Sequence, residues 1–236
     1  LQNIPAQNVP QDILPNESVD LILTDPPYTD QVPYLEYNQL WYKVMGWHGF
    51  TKESLEAELV VSDAPSRNKD TEDFNQIFEV ILNRISPALK ANGYFIMFYH
   101  SFDLKSWSEI LKIMQKYGLA YCGQIPSAAP RKSFKAVMTP NGTLDGNYIV
   151  VFQKRKTVEI PQFSGSVDDA KKLAVECASR IIAERKEVTS QDLYDYGMLR
   201  DAFEFGYLQV LSTKYKTFVD VISDSFEFKN GLWRCK

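Results

Sequence analysis

The chain has 236 residues, of which 44% are hydrophobic and 24% are charged, an ordinary globular composition that can bury a substantial core. Its formal net charge of −4 at pH 7 disfavours a broad nonspecific nucleic-acid face but is compatible with a local basic patch.

Membrane and metal functions find no support in the sequence. No run approaches the ~18 apolar residues that a membrane helix needs, and no signal peptide is visible. The three cysteines are far apart, and two histidines are too few to suggest a zinc site. A sparse, odd cysteine count is typical of a reduced compartment, so we expect a cytoplasmic protein without a bound metal or a membrane partner.

Apolar periodicity predicts alternating strands and helices along the first two thirds of the chain. The predicted strands cover residues 19–24, 94–99, 119–125 and 147–153, and the predicted helices cover residues 34–45, 72–90 and 102–117. Pro87 is expected to kink the second helix or to begin a short helix capped by Ser86, and Gly93 is expected to end it. Ser101 is the expected N-cap of the third helix and Gly118 its terminator, while residues 46–70 are predicted to be irregular.

This order of elements predicts an α/β sheet layered by helices. A change in composition after residue 155 separates a first domain, residues 1–155, from a small and mainly helical region, residues 156–236. The second region is predicted to contain helices at 167–185 and within 190–222, and a strand pair at 226–234. The loop of about twenty residues before the strand at 147–153 is long for a compact domain and is typical of a functional or disordered segment.

The segment LTDPPYTD carries the most specific chemistry. The strand at 19–24 runs directly into Asp25, and ligands of open α/β sheets bind at the carboxyl ends of strands. Pro26 and Pro27 stiffen the chain and remove two N–H donors, which leaves the Asp25 carboxylate and the Pro26 carbonyl as acceptors. Both could accept hydrogens from one exocyclic amino group and turn its lone pair toward an electrophile. Tyr28 would stack on the attached base.

Asp-Pro-Pro-Tyr after an apolar strand resembles the catalytic motif of the DNA amino-methyltransferases, which methylate adenine N6 or cytosine N4 with S-adenosylmethionine. The segments NESVDLILTDPPYTDQVPYLEY, LKANGYFIMFYHS and MTPNGTLDGNYIVVFQK are similar to successive units of large bacterial adenine-specific DNA methylases. The resemblance covers about residues 10–155 and implies part of a Rossmann-like class I methyltransferase sheet, S-adenosylmethionine as cofactor and DNA as partner. It implies catalytic roles for Asp25, Pro26, Pro27 and Tyr28, and cofactor contacts by Thr24 and Asp25.

Other candidate site residues have competing explanations. Tyr34 is near Tyr28 in the sequence and is a candidate substrate contact, but Tyr34, Tyr37 and Trp41 have the helical spacing of a core stripe. His100 ends a strand at the same expected edge, where a lone histidine is usually structural. The long loop carries three cations that could contact phosphates or form a solvated surface, namely Arg131, Lys132 and Lys135.

Features absent from the sequence narrow the function further. Methylation of cytosine C5 uses a cysteine that follows a proline in the family concerned, whereas the cysteines here follow Tyr121, Glu176 and Arg234. The glycine-rich cofactor turn of the resembled family has no GxG counterpart here. We therefore expect the catalytic and C-terminal half of a longer polypeptide, with an upstream half that carries most of the cofactor site. The strand at 19–24 would then be an exposed edge that pairs with a second copy, unless residues 1–15 cover it.

Two alternatives remain open at this point. One is an amino-methyltransferase that acts on RNA or on a protein glutamine, whose motif more often begins with asparagine. The other is a non-catalytic fragment that binds nucleic acid. Within the DNA enzymes, many of which belong to restriction-modification systems, an aspartate-first motif favours adenine over cytosine without deciding between them.

Overall fold

The computed structural model describes residues 4–27, 34–65, 67–128, 146–185 and 187–236. The strands are β1 (Val19–Thr24), β2 (Leu89–Tyr99), β3 (Leu119–Ala128), β4 (Gly146–Lys154), β5 (Phe226–Lys229) and β6 (Leu232–Cys235). The helices are α1 (Tyr34–Val44), α2 (Lys52–Ala57), α3 (Thr71–Ile85), α4 (Leu104–Lys116), α5 (Val167–Arg185), α6 (Ser190–Asp195), α7 (Met198–Glu204), α8 (Leu208–Ser212) and α9 (Phe218–Ile222). Short 3-10 helices cover Ala6–Asn8 and Ser86–Ala88.

Four strands form one mixed sheet in the order β1-β2-β4-β3. β1 and β2 are parallel, with Thr24 beside Met97, whereas β4 runs antiparallel between β2 and β3, with Tyr148 beside Tyr99. The carboxyl ends of β1, β2 and β3 and the amino end of β4 therefore lie together at one edge, which we name the carboxyl edge. The predicted α/β class is confirmed.

One face of the sheet holds the core. The chain moves across the sheet in the same direction through α3 and then α4, and right-handed crossovers place both helices on the same face. Phe95, Met97 and Tyr99 of β2 are buried on this face. Phe78 of α3 and Trp107 of α4 belong to the same core cluster. Alternation along β2 thus directs every second side chain into this layer.

The opposite face of the sheet, which we name the open face, leaves apolar side chains in solvent. Leu21 lies beside Tyr94 and Leu23 lies beside Ile96, so the members of each pair share one face. The most exposed side chains of this face are Leu21, Leu23, Tyr94 and Ile125, which are 45% to 62% exposed. Contiguous apolar surface of this kind marks an interaction site more often than an ordinary monomer surface.

The described part of the N-terminal segment packs elsewhere. The 3-10 helix Ala6–Asn8 lies against α3, and the Arg84 guanidinium on α3 donates to the carbonyl oxygens of Val9 and Leu14. Residues 4–15 are thus held on α3, and within the described ranges no strand pairs with the outer edge of β1.

Predictions in the α3–β2 region were partly confirmed. α3 ends at Ile85, and the short helix expected at Pro87 is present as the 3-10 helix Ser86–Ala88, but its N-cap residue is Ile85 and not Ser86. Gly93 lies inside β2 and does not end a helix. A Cβ at Gly93 would approach the backbone oxygen of Asp20 to 2.9 Å, so a glycine permits the close approach of β1 and β2 there.

Two further predictions differ from the structure, namely the N-cap of α4 and the irregular segment before α3. Asp103 and not Ser101 is the N-cap of α4, since the Asp103 carboxylate accepts from the Ser106 N–H at 2.8 Å. Ser101 supports this cap by accepting from the Asp103 N–H at 3.1 Å. The predicted terminator Gly118 has a φ of +74°, as a helix C-terminus requires. Residues 46–70, predicted to be irregular, contain α2.

The predicted helical C-terminal region is present as α5–α9, followed by the β5–β6 strand pair. It packs on the face of the sheet that holds the core, where α8 contacts α4. The ring of Phe203 meets the ring of Tyr121 there, with centroids 4.6 Å apart. One core cluster contains buried residues from both this region and the sheet. None of the helices in the described ranges combines the length and apolar character needed to cross a membrane.

Candidate active site

The end of β1 and the three residues that follow it form one part of the carboxyl edge. Thr24, half-buried, is the last residue of the strand, and Asp25 follows it with an exposed side chain. Pro26 and Pro27 continue the chain and are half-buried. Thr24, beside Met97, is the last paired residue of β1, and Asp25 is the next residue of the chain. The Asp25 carboxylate is therefore presented at the sheet edge in a segment whose two following residues donate no backbone hydrogen bond.

His100 follows β2 at the same edge. Its Nδ1 lies 2.6 Å from the carbonyl oxygen of Gly146, the first residue of β4. A carbonyl oxygen only accepts, so Nδ1 carries the proton, and Nε2 is the acceptor nitrogen of the neutral ring. His100 follows Tyr99, the last residue of β2, as Asp25 follows the last residue of β1, so both lie just beyond strand ends at the carboxyl edge.

A hydrogen-bonded cluster at the start of β4 includes two residues from the C-terminal region. The Tyr148 hydroxyl donates to Asp195 Oδ1 at 2.6 Å, and the Gln191 amide donates to the same oxygen at 2.6 Å and to the Tyr148 hydroxyl oxygen at 2.8 Å. Burial raises the pKa of the Asp195 carboxyl above its ordinary value. Burial also raises the pKa of Tyr148, and the neighbouring Asp195 adds to that rise.

Helix α6, which carries Gln191 and Asp195, is bonded to other strand ends as well. The Tyr194 hydroxyl donates to the Phe102 carbonyl oxygen at 2.7 Å, in the turn that follows β2. The Gln124 amide of β3 lies 3.4 Å from the Tyr194 carbonyl oxygen. The C-terminal region therefore contacts β2, β3 and β4 close to the carboxyl edge.

The remaining sequence-predicted site residues are not brought together with Asp25 in the described structure. Tyr34 begins α1 and is 51% exposed. The core explanation of the helical stripe is wrong, since Tyr37 and Trp41 are also more than 60% exposed. Tyr28, Arg131, Lys132 and Lys135 lie outside the described residues.

Residues of the segment that follows α2 contact the first turn of α1. Arg67, whose side chain is 1% exposed, donates to Glu36 Oε1 at 3.0 Å and pairs with Glu58. Glu58 also accepts from the Leu35 N–H at 3.0 Å. One ion pair and one backbone hydrogen bond thus hold the first turn of α1, which comes after the Asp-Pro-Pro segment in the chain.

Comparison with solved structures found weak likenesses. TTHA0409 of Thermus thermophilus, a proposed DNA modification methylase, is 14% identical in its complex with S-adenosyl-L-methionine, with a TM-score of 0.37. The match covers 75% of this chain and 60% of that one, so the chain spans less than two thirds of its length. The M1.HpyAVI–SAM complex is 12% identical over 84% of this chain and 90% of that chain, with a TM-score of 0.30. These likenesses are too weak to decide function.

Comparisons at the sequence level found no relatives. No protein-family model matches the chain, and no curated protein matches it. In the described ranges no three histidine, cysteine, aspartate or glutamate side chains form a group able to hold a metal ion.

Sequence reasoning missed the contribution of α6 to the carboxyl edge. Asp195 and Gln191 are separated from Tyr148 by more than forty residues. The capping box of α6, formed by Thr189 and Asp192, was readable as a helix start. No local pattern shows which side of that helix would meet the sheet, because the contact is made by tertiary packing.

Proposed function

We propose that this chain is the catalytic part of a DNA amino-methyltransferase that transfers a methyl group from S-adenosylmethionine to an exocyclic base amine, with adenine N6 the favoured target. The observation that carries the proposal is Asp25-Pro26-Pro27 immediately beyond the end of β1, at the carboxyl edge of an α/β sheet. Ligands of such sheets bind at that edge.

The residues at the end of β1 fit the amine side of this reaction. The Asp25 carboxylate and the Pro26 carbonyl oxygen accept the two amino hydrogens, which takes the nitrogen lone pair out of conjugation with the base. The exposed position of Asp25 allows a base to reach it. In duplex DNA the target nucleotide would be swung out of the stack, at a cost of a few kcal/mol, and Tyr28 would stack on it.

The described residues supply part of a cofactor site. Bound S-adenosylmethionine supplies an electrophilic methyl group on a sulfonium. Thr24 and Asp25, at the end of β1, are the residues of this chain assigned to its contact. The remaining contacts would come from an upstream half of the same polypeptide, for which the open face and the outer edge of β1, which no described strand joins, offer an apolar docking surface.

The decisive experiment is product analysis with the full-length enzyme. Incubation with S-adenosylmethionine and plasmid DNA, followed by hydrolysis and mass spectrometry of the nucleosides, should give N6-methyladenine. N4-methylcytosine would retain the reaction class and change the target. A methyl group on RNA, on a peptide glutamine or on cytosine C5, or no methylated product on any substrate, would contradict the proposal.

Replacement of Tyr28 tests the stacking role. Tyr28→Ala should weaken base binding by about 1–3 kcal/mol and slow catalysis, whereas Tyr28→Phe and Tyr28→Trp should be tolerated, because stacking needs a ring and not a hydroxyl. Fluorescence of 2-aminopurine at the target position reports extrusion of the base. If the phenylalanine variant behaves like the alanine variant, the hydroxyl is the important group and the stacking role is wrong.

Binding of S-adenosylmethionine to the 236-residue chain tests the division into halves. We expect no tight binding in isothermal titration, because Thr24 and Asp25 make only part of the contacts. We also expect self-association through β1 in size-exclusion chromatography, which Leu23→Lys should reduce because edge lysines oppose strand pairing. A dissociation constant in the low micromolar range would show that this chain contains a complete cofactor site.

A further inference from the structure

The C-terminal region is linked to the carboxyl edge by a continuous series of contacts. Asp195 accepts from the Tyr148 hydroxyl at 2.6 Å. Two residues before Tyr148, the Gly146 carbonyl oxygen accepts from His100 Nδ1 at 2.6 Å. Tyr148 is thus held from the α6 side while the first residue of β4 holds the His100 ring.

The ring, the backbone and the hydroxyl of Tyr148 are each held by neighbouring residues. Its ring is fully buried and meets the ring of Trp107 edge-on, with centroids 5.6 Å apart. Its backbone lies beside Tyr99, one residue before His100. The hydroxyl of Tyr148 is held by its hydrogen bonds with Asp195 and Gln191. Movement at Tyr148 would therefore pass through only two residues of β4 to reach Gly146.

Asp195 Oδ1 is the shared acceptor of this cluster. It receives hydrogens from both the Tyr148 hydroxyl and the Gln191 amide. Removal of the acceptor would take the partner of the hydroxyl from the fully buried Tyr148, and an unsatisfied buried donor costs more than a lost surface hydrogen bond. Rearrangement of Tyr148 is the expected response.

We propose that Asp195 is a positioning residue: through Tyr148 it fixes the start of β4, and with it the Gly146 carbonyl that sets the tautomer and orientation of His100 at the carboxyl edge. The C-terminal region thereby orders the carboxyl edge. The importance of this order for methyl transfer rests on the proposed function, whereas the effect on His100 does not.

Nuclear magnetic resonance of the imidazole nitrogens tests the proposal directly. The chain has two histidines, so 15N-histidine labelling gives four imidazole nitrogen signals, two from each ring, and His48→Gln assigns them. His100 should show a single Nδ1–H tautomer, as its contact with the Gly146 carbonyl oxygen requires. Asp195→Ala and Tyr148→Phe should shift it to a mixture of tautomers, whereas Asp195→Asn, which keeps an acceptor oxygen, should preserve it.

A matched control distinguishes this effect from general loosening of the C-terminal region. Asp224 lies in the same region, is exposed and pairs with Lys171 at 2.8 Å. Asp224→Ala should leave the His100 signal unchanged, and the His48 signal should be unchanged in every variant at position 195. A His100 tautomer that is the same in Asp195→Ala, Tyr148→Phe and wild type, in variants that retain the wild-type fold by circular dichroism, would overturn the proposal.

Kinetics of the full-length enzyme separate this proposal from the proposed function. Asp195→Ala should lower kcat by about ten- to a hundred-fold with little change in KM, because small misplacements at a reacting centre have effects of that size. Asp195→Asn should keep most of the wild-type kcat. If no methyl transfer is found with any variant or with wild type, the proposed function fails while the tautomer result still decides the role of Asp195. A tautomer change without a change in kcat would overturn the link to catalysis.

Discussion

On the proposed function, replacement of Asp25 by alanine in the proposed longer polypeptide is expected to lower kcat for methyl transfer by about a hundred- to a thousand-fold. The loss of one preorganised acceptor at a reacting centre costs roughly 2.7–4 kcal/mol of barrier, by analogy with the loss of one oxyanion-hole donor. Asp25 is exposed at the end of β1, so its removal leaves no cavity in the core and should not impair folding. Single-turnover assays at saturating S-adenosylmethionine and DNA measure the chemical step.

A second acidic residue on the same strand provides the control for Asp25. Asp20 is also exposed and pairs with Lys90 at 2.9 Å, four residues before the end of β1. Asp20→Ala should therefore leave kcat unchanged, while Asp25→Asn, which keeps one acceptor oxygen, should give an intermediate loss. Near-normal turnover of Asp25→Ala at saturating substrate would remove Asp25 from the mechanism.

Replacement of Trp107 by alanine should cause the largest loss of stability that we anticipate, about 3–5 kcal/mol. The Trp107 ring is buried, contacts the rings of Tyr99 and Tyr148, and donates from Nε1 to the Ser101 carbonyl oxygen at 2.9 Å. The alanine variant loses the packing against both rings, and it leaves the Ser101 carbonyl oxygen without the Nε1 donor. Urea unfolding followed by circular dichroism gives the free energy of unfolding.

Matched variants separate core packing from the general effect of losing a tryptophan. Trp47 is 59% exposed, and Trp47→Ala should change the free energy of unfolding by no more than about 0.5 kcal/mol. Trp107→Phe keeps a ring between Tyr99 and Tyr148 but loses the Nε1 hydrogen bond, so its loss should be smaller than that of alanine. A cost below about 1 kcal/mol for Trp107→Ala would mean that the layer between α4 and the sheet is not packed as described.

The sequence predicted those features of the fold that depend on neighbouring residues. The strands at 19–24 and 147–153, the helix α5 and the terminal strand pair follow from local periodicity and are present. Gly93 was misplaced because a glycine that permits close strand approach has the same local pattern as one that ends a helix. The identity of a glycine gives no information about which backbone lies opposite.

The candidate site was predicted where a motif follows a strand and missed where the chain folds back. Asp25 could be placed at a sheet edge because its strand and its two prolines are adjacent to it. The exposure of Trp41 and the contact of Asp195 with Tyr148 depend on distant parts of the chain. Helical spacing identifies an apolar side of α1, but only tertiary packing decides whether anything covers it.

The position of β4 between β2 and β3 has a consequence for the order of assembly during synthesis. β3 is hydrogen-bonded only to β4 within the described sheet, and β4 begins at Gly146, after β3 in the chain. A nascent chain that has emerged only as far as β3 can therefore pair β1 with β2, but β3 has no strand to join. Ribosomes add about 5–20 residues per second, so β3 waits for seconds with its backbone donors and acceptors unpaired. A chaperone that binds extended segments has its best opportunity at β3 during that interval, and pulse proteolysis of stalled chains should find β3 cleavable until β4 has left the exit tunnel.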